Sequence, residues 1–295
     1  MATSLLSCYI GFVFDDLTDI YEAMIDWPKR LANEGPFYRR WFQRAGVQSV
    51  VDVACGTGRH AAMFHSWASA LRVEGADISP NMIDRARATF GEPAGLRWAV
   101  RGFDEPIHPA KPFDAAICVG NSLALTPDLA TIERAMGQML AAVRTGGEKE
   151  AGGGLVIVHV LNLWSLPDGP CNWQKCQRTT LPQGEVLILK GVHRCGSRGY
   201  VDLIVAGLGE EKGTGPICRN GPTNLRSVPG VAHKWDPSPL LRHSESIPLW
   251  GLEAAELERM ARAAGAAEVT FFGGYQDQPY DRQKSADLIM VARKF

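Results

Sequence analysis

The run VVDVACGTGRH, residues 50–60, sets Asp52 inside a β-branched stretch and follows it closely with Gly56 and Gly58. Glycines at such a point let the backbone turn sharply and lie against a ligand with no Cβ atoms in the way. The segment after them aims its first N–H groups at the same place. The next acid at a strand end is Asp77, and an acid at the tip of the second strand of a doubly wound fold accepts ribose hydroxyls. The constellation therefore reads as a site for an adenosine-type ligand. Gly56, Gly58 and Ala61 satisfy the spacing of a dinucleotide loop. Asp52, however, would sit beside a pyrophosphate and repel it. An acid there suits a cationic ligand, and S-adenosylmethionine carries an amino group and a sulfonium but no phosphate.

Strands and helices must alternate to hold these residues. Residues 16–45 read as helical, with Gly46 as the stop; 48–54 read as a buried strand and 58–70 as a helix. A second strand over 71–79 leads into a helix over 80–90, with Ser79 as N-cap and Pro80 in the first turn. Further strands are expected over 96–102, 113–122 and 154–163, with an amphipathic helix over 128–147 between the last two. Short, regular alternation predicts an α/β, doubly wound, Rossmann-like, seven-stranded mixed sheet. Residues 184–194 and 199–208 then read as a hairpin, and 206–246 as a Gly- and Pro-rich loop. A helix over 251–265 and two closing strands, 267–275 and 286–295, end the chain. The stretches GGEKEAGGG (146–154) and GEEKG (209–213) read as solvated loops. The expected division is an N-terminal helical segment over 1–45, a core over 46–163 and 247–295, and a small antiparallel add-on over 164–246 that caps the pocket.

Composition narrows the class of partner. The chain has 295 residues, is 45% hydrophobic and 21% charged, and carries a formal net charge of −1. Near-neutral charge gives no reason to expect nucleic acid or an anionic membrane surface. The start, MATSLLSCYIGFVF, holds no Lys or Arg and does not read as a secretory signal. Seven scattered cysteines read as reduced thiols in a cytoplasmic protein. Cys171, Cys176, Cys195 and Cys218 invite a metal reading, but the C-x4-C spacing is not that of a zinc knuckle, and no metal is expected.

VVDVACGTGRH, GADISPNMIDRAR (75–87) and FDAAICVGNSLAL (113–125) resemble motifs of class I S-adenosylmethionine-dependent methyltransferases. More narrowly, residues 21–60 and the Gly-Asn-Ser turn at 120–122 resemble the glycine and glycine/sarcosine N-methyltransferase group. The resemblance implies S-adenosylmethionine as cofactor, with S-adenosylhomocysteine as product. It implies that Asp52, Ala54, Gly56 and Gly58 line the methionine and ribose part, that Asp77 takes the ribose hydroxyls, and that Met82 packs near the adenine. It places Val119 against the cofactor by its backbone. Tyr21, Trp27 and Arg30 match a segment that closes over the cofactor, with Arg30 on its carboxylate. Phe103 and Asp104 fall at an adenine clamp, although here the aromatic precedes the acid.

One departure bears on the acceptor. The group carries, after strand five, an Arg that grips an amino-acid carboxylate. Aligned on Asn162, that position is Leu161. A carboxylate would lose its charge-assisted partner, which argues against glycine as the acceptor. Asn121, Asn162, Trp164 and Trp173 are left as neutral polar and aromatic candidates for the acceptor pocket. His159 and Asn121 are the catalytic candidates, His159 as a base when the nucleophile arrives protonated. The expected function is methyl transfer to a small-molecule acceptor, with N-methylation favoured by the resemblance. O- or S-methylation and a non-catalytic S-adenosylmethionine-binding protein stay open as alternatives, as does a nicotinamide-linked oxidoreductase. A homo-oligomer is also open.

Overall fold

A computed structural model describes residues 17–146, 153–208 and 241–294. The first residues, the GEEKG stretch, Cys218 and most of the 146–154 and 206–246 loops lie outside the described residues. Seven strands form one sheet in the order β10-β11-β5-β4-β1-β2-β3. They are β1 (Ser49–Val53), β2 (Arg72–Asp77), β3 (Leu96–Val100), β4 (Ala115–Cys118), β5 (Gly154–Leu161), β10 (Glu268–Phe272) and β11 (Asp287–Lys294). β1 pairs in parallel with both β2 and β4, whereas β11 runs antiparallel to β5 and to β10. The strand order thus reverses at β1, and the crevice beyond the carboxyl ends of β1 and β4 is where such sheets bind ligands.

Helices cover both faces. One hydrophobic layer joins the sheet to α5 (Leu129–Ala142) and α6 (Ala254–Ala263) through Ile132, Met136, Met139, Leu257 and Met260. The other joins it to α2 (Trp27–Ala45), α3 (Arg59–His65) and α4 (Pro80–Phe90) through Phe37, Tyr38, Phe64 and Ile83. Gly46 ends α2 in a left-handed conformation, and the Ser79 hydroxyl accepts from Met82 N at 3.1 Å to cap α4.

The expected helix over 16–45 is two helices, α1 (Thr18–Met24) and α2. Pro28 lacks an N–H and takes the first turn of α2, where none is needed, while the Asp26 carboxylate accepts from Lys29 N as N-cap; a second proline, Pro36, is carried inside the same helix. The helix expected over 58–70 stops at His65, where the Ser66 hydroxyl donates to Met63 O.

A second sheet of four strands runs β6-β7-β8-β9, all antiparallel: β6 (Asn172–Leu181), β7 (Gly184–Cys195), β8 (Arg198–Gly207) and β9 (Leu241–Trp250). The β7–β8 hairpin follows the expectation, whereas both outer strands escape it. β6 is largely polar, and β9 carries Pro248 and began inside the expected loop. Both lie at sheet edges, where polar residues and proline are tolerated because one side of the strand is unpaired. β9 also carries the sheet to Trp250, past the expected end of the add-on at 246. The inner face buries Val186, Ile188, Leu203 and Val205 against Leu17, Ile20 and Met24 around α1. No helix among the described residues is long and apolar enough to cross a membrane.

Candidate active site

The loop after β1 is held open by backbone geometry that side chains disfavour. Ala54, Gly56 and Gly58 all have positive φ. Asp77, at the tip of β2, ties this loop to the next one: its Oδ2 accepts from Gly56 N at 2.7 Å and its Oδ1 from Ser79 N at 3.0 Å. Across the crevice Gly120 and Asn121 also have positive φ, and they turn the chain out of β4. Asn121 Oδ1 accepts from Leu161 N at 3.0 Å, and this fixes the turn to the end of β5.

One cavity joins these loops to α1 and to the inner face of the four-stranded sheet. Tyr21, Ala54, Gly56, Asp77, Met82, Phe103, Asp104 and Asn121 line it, eight of the expected site residues. The opposite wall is Lys190, Val201, Leu203, Ile247 and Leu249. Alternation along a strand explains this wall, since Val201 and Leu203 point inward while Asp202 points out.

Arg30 and Trp27 stand just behind the lining. Arg30 Nε donates to Glu34 Oε1 at 2.7 Å, and its guanidinium lies over the Trp27 ring. A Cβ on Gly120 would come within 3.1 Å of Arg30 Nη2, so glycine permits the guanidinium to reach the turn. The other Glu34 oxygen meets His60 Nε2 at 2.8 Å. Burial opposes a charge on Glu34, but the hydrogen bond and charge of His60, with the charge of Arg30, hold its carboxyl down to about 2. Burial pushes the Tyr21 hydroxyl up to about 12, so it is a neutral donor and acceptor.

Asp52 is buried, and neither carboxylate oxygen has a hydrogen bond of normal geometry. Burial, and then the charge of Asp77, push its carboxyl well above the usual range, although Arg30 opposes them. Asp52 is not itself among the residues that line the cavity, but an unpaired buried acid two residues before the lining Ala54 favours a cationic ligand over an anionic one. The buried Trp27 indole N–H is likewise unmatched. The residues present therefore fit a cationic nucleoside such as S-adenosylmethionine.

Several expected residues do other work. Gly58 does not line the cavity; a Cβ there would meet Trp98 Cη2 at 2.5 Å. Its absence allows α3 and β3 to approach. Gly58→Ala adds this overlap to a positive φ, and is expected to cost about 2–4 kcal/mol of stability. Urea unfolding checks it, and an unchanged midpoint would contradict the packing role. Val119 is buried at the end of β4, with its carbonyl accepting from Ser122 Oγ.

His159 has both ring nitrogens engaged. Nδ1 accepts from Gly120 N at 3.2 Å, which leaves the proton on Nε2 to be donated to Asp287 Oδ1 at 3.0 Å. With no lone pair to spare, it does not stand as a base in this arrangement. Asn162 is fully buried and spends its side chain on Arg282 O, Ser285 O and the Tyr280 hydroxyl. Trp164 donates to Leu252 O and has the Arg282 guanidinium on its face. Trp173 lies on the outer face of β6, 53% exposed. None of these three lines the cavity. Asp104 lines the cavity, but its carboxylate is held by Arg134 at 3.2 Å.

Lys190 is a charged lining residue that the sequence did not single out. Burial pushes its amine below the ordinary lysine value, and the nearby charges of Arg30 and Lys175 add to this. The available signal was one Lys within the otherwise apolar run VLILKGV, a run that does not by itself tell its two faces apart.

A family profile described as a methyltransferase domain matches residues 50–147. A glycine/sarcosine N-methyltransferase from Parasynechococcus marenigrum (strain WH8102) is 38% identical over 114 residues, 37% of this chain and 38% of that protein. Human glycine N-methyltransferase is 29% identical over 60% of this chain and 65% of its own. The aligned parts thus span less than two thirds of these relatives. Among solved structures, a sugar N-methyltransferase from Streptoalloteichus sp. ATCC 53650 shares the fold, with a TM-score of 0.62 at 20% identity over 90% of this chain and 87% of that one. Profile match, strand order and the acid-bearing glycine loop together identify a class I S-adenosylmethionine-dependent methyltransferase domain in this chain.

Proposed function

We propose that the protein transfers a methyl group from S-adenosylmethionine to the nitrogen of a small-molecule acceptor. One observation carries this reading: a single cavity has the Asp77–Gly56–Met82 surface on one side and the Lys190-bearing sheet on the other. Cofactor and acceptor thus share one enclosure. Bound there, S-adenosylmethionine supplies a methyl group already activated by its sulfonium.

The chain's residues then bind and orient. Asp77 accepts the ribose hydroxyls, Met82 and Phe103 pack the adenine, and Asp52 balances the cationic end. Arg30, braced by Glu34, pairs with the carboxylate, and α1 with Tyr21 closes over it. His159 is a positioning residue: it holds Gly120 N and, with Asp287 behind it, sets the angle of the Asn121 turn. Asn121, its Oδ1 committed to Leu161 N, presents its amide NH2 to the acceptor. Lys190, with its amine biased toward the neutral form, takes the proton that an ammonium acceptor must lose before its lone pair can attack. Positioning and exclusion of water do the rest, and such effects supply about 7–11 kcal/mol of a barrier.

Leu161 packs against the core where the resembling group carries the carboxylate-gripping Arg. Glycine and sarcosine are therefore expected to be poor acceptors. An assay of S-adenosylhomocysteine formation across primary and secondary amines, glycine and sarcosine among them, and hydroxyl compounds checks both statements. Turnover confined to hydroxyl acceptors would replace N- with O-methylation, and tight cofactor binding without turnover on any acceptor would leave a binding protein. Fast turnover of glycine would overturn the reading of Leu161.

A further inference from the structure

On the face of the four-stranded sheet turned away from the cavity, three side chains of different chemistry converge. Cys171 stands just before β6, His193 lies on β7 and Asp202 on β8. Asp202 Oδ2 accepts from His193 Nδ1 at 2.7 Å and from Cys171 Sγ at 3.5 Å. The three ligand atoms all lie within 4.8 Å of one another. Around a tetrahedral zinc, such atoms stand about 3.5 Å apart, so little movement separates this cluster from a coordination shell.

The surroundings hold these atoms in place. The second carboxylate oxygen of Asp202 accepts from the Ser246 hydroxyl of β9. The His193 ring stacks on Tyr200, with centroids 5.0 Å apart and planes at 15°. Opposite the thiol stands Gly191, where a Cβ would lie 2.5 Å from Cys171 Sγ. Outer support of this kind is what orients metal ligands in general. A nucleophilic triad fits less well, because the thiol meets the carboxylate and not the imidazole.

We propose that Cys171, His193 and Asp202 form a zinc site, with solvent as the fourth ligand, that staples the β6 edge to the centre of the sheet roofing the cavity. The site joins the segment before β6 to β7 and β8, and through Ser246 to β9. It lies outside the methyl-transfer machinery and does not rest on that reading. The C-x4-C spacing of Cys171 and Cys176 is beside the point, because the partners of Cys171 come from neighbouring strands. On binding, the thiol proton is released to solvent, and the imidazole proton moves to Nε2 so that Nδ1 can ligate.

The test is titration of the full chain, stripped with a chelator, with Zn2+ alone and with Co2+ as a coloured probe. One equivalent of Zn2+ is expected, a thiolate-to-cobalt charge-transfer band with Co2+, and a higher thermal midpoint with metal. Cys171→Ala and His193→Ala should each weaken Zn2+ binding by about 100-fold and remove or shift the band. Gly191→Ala keeps every ligand but displaces the sulfur, and should weaken binding about tenfold. Should a ligand variant not fold, Gly191→Ala and the wild-type cobalt spectrum still decide. Absence of stoichiometric binding by the wild type, or binding unchanged in Cys171→Ala and Gly191→Ala, would overturn the site.

Discussion

Asp77→Ala is expected to weaken binding of S-adenosylmethionine and of S-adenosylhomocysteine by about 100-fold or more. The carboxylate does two things at once. It anchors the β1 loop through Gly56 N and the β2 turn through Ser79 N, and a carboxylate has roughly four acceptor directions, which lets the same oxygens take ribose hydroxyls. A hydrogen bond to a charged group contributes about 1.5–3 kcal/mol, so losing two of them costs at least about 3 kcal/mol, or roughly two decades of affinity. Loosening the Gly56 loop adds to that. Asp77→Asn is not a benign control, because its NH2 would face a backbone N–H. Calorimetric titration of both nucleosides against wild type and variant, with NAD as the competing ligand, gives the answer. Unchanged affinity, or a preference for NAD, would remove the adenosine site from this crevice. Thermal unfolding in parallel separates lost binding from a lost fold.

How much of this site the sequence disclosed depended on how local each feature is. The Asp52–Gly58 loop, the acid at Asp77, the Ser79 cap and the Gly120–Asn121 turn each announce themselves within a few residues, because they rest on backbone conformations that few residue types permit. Eight of the expected residues line one cavity. What was not legible depends on pairing across long separations. β6 and β9 carry polar residues and a proline that only an edge strand tolerates, so neither shows an apolar alternation. Without those strands the inward direction of Lys190 cannot be assigned. His159 reads as a free imidazole until Gly120 N and Asp287 are brought to its two nitrogens. Asn162 and Trp164 follow β5 in the chain like pocket residues, yet the fold gives them Arg282, Ser285 and Leu252 as partners. Cys171 is equally silent, since its neighbours His193 and Asp202 lie on other strands.

Lys190→Met is expected to lower kcat by about 10²–10⁴-fold, the usual contribution of a general base, with little change in cofactor affinity. The sign of the pH effect follows from the cavity. Burial, and then the charges of Arg30 and Lys175, disfavour the ammonium form of Lys190, so its titration is displaced below the ordinary 10.5. The amine acts as a base only when neutral. In the wild type kcat should therefore rise with pH and level off once Lys190 has lost its proton, with the rise centred below 10.5. Lys190→Met should be slow across the whole range and lack that rise, because methionine keeps the length of the side chain without the amine. Lys190→Arg separates the two roles a cation could have here. A guanidinium keeps the charge but cannot give up a proton at these pH values. If Lys190 works as a base, the arginine variant should be as slow as the methionine one. If it works by pairing with an anionic acceptor, arginine should restore most of the rate with a flat pH profile, and the wild-type rate should fall, not rise, as Lys190 loses its proton. A Lys190→Met variant that turns over at the wild-type rate would take the proton-accepting step away from the sheet wall and return it to the acceptor's own ionisation in solvent.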